Sequence, residues 1–194
     1  MGNIHSVQKA LESCGADTQV TNKPNDIRLA EKIVLPGVGA FDDAMLALKK
    51  QDLILSLNEH VKLGKAFLGI CLGMQLLFES SQEAKQSKGL SLLKGEVKRF
   101  TDKPGLKVPH IGWNQLKIKN NGCPLLKDIP DNANVYFCHS YYAKPKDAKV
   151  TSAICNYGAD FTAIAWQNNI YGTQFHPEKS QIIGLKILHN FVKL

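Results

Sequence analysis

The sequence lacks the features that mark a membrane protein, a secreted domain or a metal site. Its apolar runs stay short of the roughly 18 to 20 residues that a membrane-spanning helix requires. The segment Met1–His5 has no basic region leading into an apolar stretch, as a signal peptide would have. The five cysteines are an odd number without a C-x-x-C pair, which argues against a disulfide framework and against a zinc site. We therefore expect a cytoplasmic protein.

A nucleic-acid-binding pattern is also missing, although the chain is basic, with a net charge of +7. Its lysines are dispersed, and aromatic residues do not alternate with them on any one segment. Repeats, low-complexity tracts and interdomain linkers are absent as well. With 194 residues and 44% hydrophobic content, the chain is expected to form one domain, residues 1–194, with a sizeable core.

The segment at residues 65–80, KAFLGICLGMQLLFES, carries the strongest chemical signal. Its first half is typical of a buried parallel strand, and it runs without a linker into a helical pattern. Cys71 lies at the junction, and Gly69 and Gly73 flank it where side chains would collide in a sharp turn. A lone cysteine is more often a buried structural residue, but free N–H groups at a helix start favour a thiolate. We therefore interpret Cys71 as a nucleophile and assign the other cysteines to packing or the surface: Cys14, Cys123, Cys138 and Cys155.

A nucleophilic cysteine needs a base, and His176 has suitable neighbours. In an extended segment, residues i and i+2 share a side, so His176 and Glu178 can face the same site. Pro177, between them, disfavours a helical conformation for the residue before it. The carboxylate can then bond one ring nitrogen while the other receives the thiol proton. Taken alone, His-Pro-Glu could equally be an ordinary loop after a strand.

Together these segments resemble a known family. GICLGMQ around Cys71 and QFHPEKS around His176 are similar to the motifs of the class I (triad-type) glutamine amidotransferases. Three further segments resemble the HisH family, the glutaminase subunits of imidazole glycerol phosphate synthase: LPGVGAF at 35–41, PHIGWN at 109–114 and HSYY at 139–142. Spacing and composition by themselves indicate only a thiol hydrolase on an α/β sheet.

The resemblance implies a role for each matching residue. Cys71, His176 and Glu178 would form the catalytic triad. The other assigned residues are the oxyanion-hole donors Val38 and Leu72, the glutamine-site residues Gly37, Gly39, Gln75, Glu83, Ser140, Tyr141 and Tyr142, and the partner-interface residues Asn3, Trp113 and Lys179. The family requires no metal and no organic cofactor.

The resemblance also implies a fold and a reaction. The fold would be α/β and class I glutamine amidotransferase-like (flavodoxin-like), with a mixed, mainly parallel sheet flanked by helices and an added antiparallel portion. The enzyme would hydrolyse glutamine to glutamate and ammonia. The ammonia would pass to a cyclase subunit, a (β/α)₈ barrel bound as a heterodimer, for histidine biosynthesis. Nucleic acid and membrane are not expected as partners.

The beginning of the chain departs from the family pattern. Members open with a hydrophobic strand and a glycine-containing turn, whereas here Gly2-Asn3 follows Met1 directly and residues 5–13 form the first predicted helix, capped by Asn3. The first strand is therefore expected to be absent, which would leave neighbouring strands with unpaired backbone groups. Either a start codon assigned too far downstream or a natively short chain would explain this. We favour the first explanation, and an intact mass of the natively expressed protein equal to this sequence would exclude it. Thr18–Val20 is expected to form a short strand.

Three other functions remain open at this stage. The same glutaminase chemistry could feed a sugar-aminating enzyme of surface glycan synthesis. The chain could be a catalytically impaired partner-binding subunit, and selective labelling of Cys71 by a glutamine-analogue electrophile would argue against that. It could also be a cysteine peptidase, which glutamine hydrolysis without peptide cleavage would exclude.

Overall fold

The computed structural model of the protein describes residues 4–120 and 122–194. The helices of this part are α1 (Ile4–Ser13), α2 (Pro24–Leu29), α3 (Phe41–Lys50), α4 (Leu53–Lys62), α5 (Leu72–Leu76) and α6 (Gln181–Val192). The strands are β1 (Ile33–Gly37), β2 (Phe67–Cys71), β3 (Ser80–Ser81), β4 (Gly95–Arg99), β5 (His110–Gln115), β6 (Lys117–Ile118), β7 (Asn134–His139), β8 (Tyr141–Pro145), β9 (Thr151–Asn156), β10 (Asp160–Gln167) and β11 (Ile170–Thr173). Within those two ranges, no helix is long and apolar enough to cross a membrane.

A six-stranded sheet with the order β1-β2-β11-β10-β9-β6 forms the centre of the fold. β2 runs parallel to both of its neighbours, β1 and β11, and the remaining neighbours are antiparallel. The mixed α/β architecture is confirmed, but the parallel part is smaller than the expected mainly parallel sheet. The reason is the tight connection at Asn168-Asn169, because a two-residue turn can join only antiparallel strands.

Two smaller sheets supply the added antiparallel portion. One has the order β3-β4-β8, and the other pairs β5 with β7. In both β4–β8 and β5–β7 the strands are antiparallel. β8 follows β7 almost immediately, so the chain passes from one small sheet to the other at Ser140.

β2 is buried along its whole length. Its successive residues Phe67 and Leu68 belong to two different hydrophobic clusters, because side chains alternate between the faces of a strand. Full burial of each such side chain contributes about 1.5–3 kcal/mol. The helices that cover the sheet are amphipathic, and α3 buries Phe41, Met45 and Leu48 at helical spacing. The residue at the end of β2 is therefore held on the most enclosed strand of the sheet.

The first part of the described chain agrees only partly with expectation. α1 matches the predicted first helix, whereas Asn3, its predicted cap, lies outside the described residues. The predicted strand at Thr18–Val20 is wrong, because this segment is irregular. A strand needs a hydrogen-bonding partner, and within the described residues the sheet ends at β1, which has only β2 beside it.

Candidate active site

The backbone at Cys71 makes the sharp turn that the sequence predicts. β2 ends at Cys71 and α5 begins at Leu72, with no residue between them. Cys71 has φ 55° and ψ −112°, a conformation that residues with a side chain rarely adopt. Such a conformation costs on the order of 1–3 kcal/mol and persists only where the surrounding structure enforces it. Strain of this kind is expected at the nucleophile of a strand-to-helix elbow.

The glycines around Cys71 allow three backbone segments to approach closely. A Cβ atom on Gly69 would lie 2.6 Å from the carbonyl oxygen of Gly73. A Cβ atom on Gly73 would lie 1.8 Å from the carbonyl oxygen of Leu35 in β1. Gly37 is similarly restricted, because its Cβ would lie 2.9 Å from the backbone nitrogen of Gly73. The steric reason predicted for the glycines is confirmed.

His176 and Glu178 form a buried pair at the end of β11. Nδ1 of His176 lies 2.9 Å from Oε1 of Glu178, and the two side chains are 6% and 1% exposed. A carboxylate only accepts hydrogen bonds, so Nδ1 carries a proton. The sulfur of Cys71 is the other hydrogen-bond partner of the His176 ring. The three residues predicted to form the triad are therefore together in the structure.

The pKa of His176 defines the charge state of this group. Burial alone would lower the pKa, but the hydrogen bonds and charges of Cys71 and Glu178 outweigh it and raise the pKa to about 10. His176 is therefore an imidazolium at neutral pH, and a neighbouring cation favours the thiolate of a cysteine. A raised pKa of His176 agrees with the predicted role of this residue as the group that takes the thiol proton.

Two buried glutamines, Gln75 and Gln174, lie close to Cys71. The Nε2 group of Gln75 donates to the carbonyl oxygen of Tyr141 at 2.9 Å and to Oε1 of Gln174 at 3.2 Å. Nε2 of Gln174 lies 3.9 Å from the sulfur of Cys71. Gln75 was predicted to contact glutamine, but both protons of its amide are used within the protein. The sequence analysis did not identify Gln174 as a site residue. Its position two residues before His176 in an extended segment could have indicated it, because residues i and i+2 share a side.

The glycine loop after β1 lies beside the nucleophile. In the register of β1 and β2, Gly37 pairs directly with Cys71. Val38 follows and is exposed, and Gly39 has φ 93°, which glycine adopts readily. Leu72 is the first residue of α5, and the N–H groups at a helix start have no partner within the helix. Both predicted oxyanion donors are thus adjacent to Cys71 or to its strand partner.

A small cavity lies beside this loop. It is lined by Gly37 and Val38 of the loop, by Val7 of α1 and by His176 and Glu178, whereas Cys71 is not part of its lining. The loop therefore lies close to the His176–Glu178 pair at the carboxyl end of β1.

Glu83 lies close to the glycine loop, but one of its oxygens stabilises the fold. Oε2 of Glu83 accepts a hydrogen bond from the backbone N–H of Phe41, the first residue of α3, at 2.9 Å. In the opposite direction, Asp42 accepts hydrogen bonds from the backbone of Lys85 and Ser87 at 2.8 and 2.9 Å. Residues 82–88 are therefore fixed to the start of α3. A contact between Glu83 and glutamine stays a prediction.

The segment from Ser140 to Tyr142 reaches the site through backbone contacts. The carbonyl oxygen of Ser140 accepts from the N–H of Phe100 at 3.0 Å, and Tyr141 and Tyr142 pair with β4. The carbonyl oxygen of Cys138, just before this segment, lies 3.9 Å from the sulfur of Cys71. The segment lies near the nucleophile, but the carbonyls of Ser140 and Tyr141 are engaged within the protein.

Trp113 and Lys179 converge on a residue that the sequence did not single out, Tyr136. Trp113 is 49% exposed and lies opposite Tyr136 in the β5–β7 ladder, with ring centroids 6.0 Å apart. Nζ of Lys179 lies 5.8 Å from the centroid of the Tyr136 ring. The carbonyl oxygen of Tyr136 accepts from the N–H of His176 at 3.0 Å. Tyr136 contacts both residues because β7 pairs with β5, and the sequence alone does not show this pairing.

The family of the chain follows from comparison with known proteins. The family model described as "Glutamine amidotransferase class-I" matches residues 1–194. The crystal structure of a glutamine amidotransferase, 16% identical in sequence, has the same fold, with a TM-score of 0.77 over 99% of this chain and 93% of that chain. The chain belongs to the class I glutamine amidotransferases.

Curated relatives narrow this assignment. The chain is 46% identical over 195 residues to the imidazole glycerol phosphate synthase subunit HisH of Thermosynechococcus vestitus, covering 100% of this chain and 93% of the relative. It is 50% identical over 196 residues to the HisH subunit of Geobacter sulfurreducens, covering 98% and 93%. Within its class, the chain is a member of the HisH family, as its motifs predicted.

Proposed function

We propose that the chain is the glutaminase subunit of an imidazole glycerol phosphate synthase, which releases ammonia from glutamine for use by a cyclase subunit in histidine biosynthesis. The observation that carries the proposal is the contact of the strained Cys71 with the buried His176–Glu178 pair. Full-length similarity to HisH subunits supports the same reading.

The reaction begins with the thiolate of Cys71. Its sulfur attacks the side-chain amide carbon of glutamine and forms a tetrahedral oxyanion. His176, already protonated, donates its proton to the departing ammonia as the oxyanion collapses to a thioester. His176 then removes a proton from a water molecule that attacks the thioester. Glutamate leaves, and the Cys71–His176 ion pair is restored, with Glu178 holding the imidazole throughout.

Two backbone N–H groups are proposed to stabilise the oxyanion. Leu72 supplies one from the first turn of α5, and Val38 supplies the other from the glycine loop. Each such donor contributes on the order of 3 kcal/mol to transition-state stabilisation. The pairing of Gly37 with Cys71 supports this assignment, because it fixes the loop beside the nucleophile.

Glutamine is proposed to bind beside Cys71, between the glycine loop and the Ser140–Tyr142 segment. Gly37 and Gly39 let the loop backbone approach the substrate. Gln75 and Glu83 each keep one oxygen that is not used in the hydrogen bonds described above, and these oxygens are proposed to face the glutamine.

The partner is proposed to bind the exposed side of the β5–β7 ladder, which we call the β5–β7 face and which comprises Ile111, Trp113, Tyr136 and Cys138. Ile111 is 60% exposed and lies two residues from the exposed Trp113 on the same strand, so the two side chains form an adjacent apolar pair on this face. Lys179 adds a positive charge to the rim. The face adjoins the site because Tyr136 is hydrogen-bonded to His176.

A docked partner suits the chemistry of the product. Ammonia released into water would be protonated and lost as a nucleophile, whereas a sealed route from the site to the partner avoids this. We propose that the partner is a (β/α)₈-barrel cyclase, bound as a heterodimer in the cytoplasm. The five cysteines of the chain are free, as a reducing compartment requires.

Glutamate release by the purified chain tests the proposal. It should be measured with and without the cyclase subunit and its nucleotide substrate, and Cys71→Ala provides the control. Partner-dependent turnover that Cys71→Ala abolishes would support the proposal. Turnover with a sugar-aminating partner instead would support the glycan alternative. Absence of both turnover and Cys71 labelling by a glutamine analogue would indicate an impaired partner-binding subunit.

A further inference from the structure

Two buried histidines outside the triad, His110 and His139, form a hydrogen-bonded line. Nδ1 of His110 lies 3.2 Å from Nε2 of His139. Nδ1 of His139 lies 2.8 Å from the carbonyl oxygen of Tyr141. At the other end, Nε2 of His110 lies 3.3 Å from Nδ2 of Asn114. The line therefore connects β5 to the first residue of β8.

Each proton on this line can be assigned. A carbonyl oxygen only accepts hydrogen bonds, so Nδ1 of His139 must donate to Tyr141. Nε2 of a neutral His139 is then an acceptor, so Nδ1 of His110 must donate to it. Nε2 of His110 is in turn an acceptor for the amide group of Asn114. Both histidines are thus neutral Nδ1–H tautomers, and every bond points in the same direction.

The orientation of Asn114 agrees with this assignment. Its Oδ1 accepts from the backbone N–H of Gln115 at 2.8 Å. Its Nδ2 also donates to the carbonyl oxygen of Asn156 in β9 at 2.9 Å. Since both contacts would be lost if the amide were reversed, Asn114 presents a donor to His110.

Aromatic side chains enclose the histidines and keep them neutral. His110 stacks on Tyr157, with ring centroids 3.9 Å apart, and on Phe137 at 4.8 Å. His139 lies 5.3 Å from Phe100 between ring centroids. Burial lowers the pKa of His110 to about 4 and that of His139 to about 3. A second proton on either ring would also place two donors against each other.

The histidine line and the glutamine pair meet at one atom. The carbonyl oxygen of Tyr141 accepts from His139 on one side and from Gln75 on the other. Gln75 contacts Gln174, which contacts the sulfur of Cys71. A continuous series of buried polar contacts therefore links Asn114 to the nucleophile through the Tyr141 carbonyl.

We propose that His110 and His139 are positioning residues for the substrate. Their hydrogen bonds, which all point in the same direction and which we call the relay, hold the Tyr141 carbonyl in place. The Tyr141 carbonyl in turn holds Gln75 and the Ser140–Tyr142 wall of the glutamine site. The proposal rests on the function proposed above, because it assumes that this wall contacts glutamine. It assigns neither histidine a role in proton transfer to the reacting atoms.

Two substitutions of His139 distinguish a hydrogen-bonding role from a role in packing alone. Asparagine places its Nδ2 where histidine has Nδ1, so His139→Asn retains the donor to Tyr141, whereas His139→Leu removes it. With the cyclase partner present, His139→Leu should raise the KM for glutamine about tenfold and change kcat much less, since a lost hydrogen bond is worth roughly this factor. His139→Asn should restore KM to within about threefold of wild type. Equal KM values for the Leu and Asn variants would overturn the proposal.

His60→Leu is the matched control for the loss of a buried histidine. His60 lies in α4, away from the relay, with Nε2 3.1 Å from the carbonyl oxygen of Ala66. This variant should lower the melting temperature but leave the KM for glutamine unchanged. A KM rise in His60→Leu equal to that in His139→Leu would indicate general loosening and overturn the proposal.

Nitrogen-15 NMR of the wild-type histidine side chains tests the relay without any variant. At pH 7, His110 and His139 should both carry their proton on Nδ1. An Nε2–H tautomer or a protonated ring at either position would overturn the relay. Failure of the proposed function is distinguishable, because the wild-type chain would then release no glutamate with the cyclase partner, whatever the tautomers.

Discussion

The α-carbon of Gly73 faces the carbonyl oxygen of Leu35 so closely that an added methyl group would lie 1.8 Å from that oxygen. The contact joins the first turn of α5 to β1, and both of its partners are backbone, which cannot rotate away as a side chain can. The geometry of the turn at Cys71 therefore requires a residue without a Cβ atom at position 73.

Gly73→Ala should destabilise the protein by at least about 2 kcal/mol, because β1 and α5 must separate to accept the methyl group. Chemical denaturation measures this loss. Gly64→Ala is the control, since Gly64 has open space around it and only its φ of +76° is unfavourable. Gly64→Ala should lower the free energy of unfolding by about 1 kcal/mol. Equal losses in the two variants would contradict the steric account.

Glu178→Gln should slow glutamine hydrolysis about 100-fold or more. Loss of the negative charge removes one of the interactions that raise the pKa of His176, so less imidazolium is present to favour the thiolate. The rate of Cys71 alkylation as a function of pH measures this directly. At neutral pH the variant should be alkylated more slowly than the wild type, because the pKa of His176 is lower in the variant. Superimposable profiles would refute the assigned role of Glu178.

Acidification should destabilise the protein below pH 6.5. Burial lowers the folded-state pKa of His110 to about 4 and that of His139 to about 3, from 6.5 in the unfolded chain. The unfolded state therefore binds more protons in this window, and the free energy of unfolding falls as the pH falls. Each pH unit between 6.5 and the folded pKa costs about 1.4 kcal/mol per histidine.

Urea denaturation of wild type at pH 7 and pH 5 measures this dependence. The variant with both His110→Asn and His139→Asn should lose most of the pH dependence that these groups cause. A variant that keeps the full wild-type slope would show that other groups are responsible.

Trp113→Ala should weaken binding of the cyclase partner by about 2 kcal/mol, or roughly 30-fold, because an exposed tryptophan in the centre of a face is a typical anchor. Calorimetric titration measures the affinity. Leu29→Ala is the control, because Leu29 is 74% exposed on α2 and lies outside the β5–β7 face. A wild-type affinity in Trp113→Ala would exclude this face as the docking surface.

The sequence was sufficient to predict those features that depend on local patterns. The turn at Cys71 and the His176–Glu178 pair follow from glycine spacing and from alternation along an extended segment. Helix α1 likewise matches the first helix that the sequence predicted.

Other features depend on contacts between distant segments, which no local pattern encodes. The relay between His110 and His139 arises only when β5 pairs with β7, and Tyr136 gains importance only from its cross-strand neighbour. Gln75 appeared free to bind substrate because its internal partner, Tyr141, lies far along the chain. The wrong prediction at Thr18–Val20 has the same origin, since strand propensity does not form a strand without a neighbour.

The parallel pairing of β2 with β11 has a consequence for biosynthesis of the protein on the ribosome. Cys71 ends the first of these strands, whereas His176 follows the second, which is translated much later. A nascent chain that has emerged from the ribosome only as far as β10 contains Cys71 but not yet His176. Its Cys71 then lacks the contact with His176 that the complete site provides. The chain thus becomes competent to attack glutamine only after the segment that carries His176 has been translated and has folded against β2.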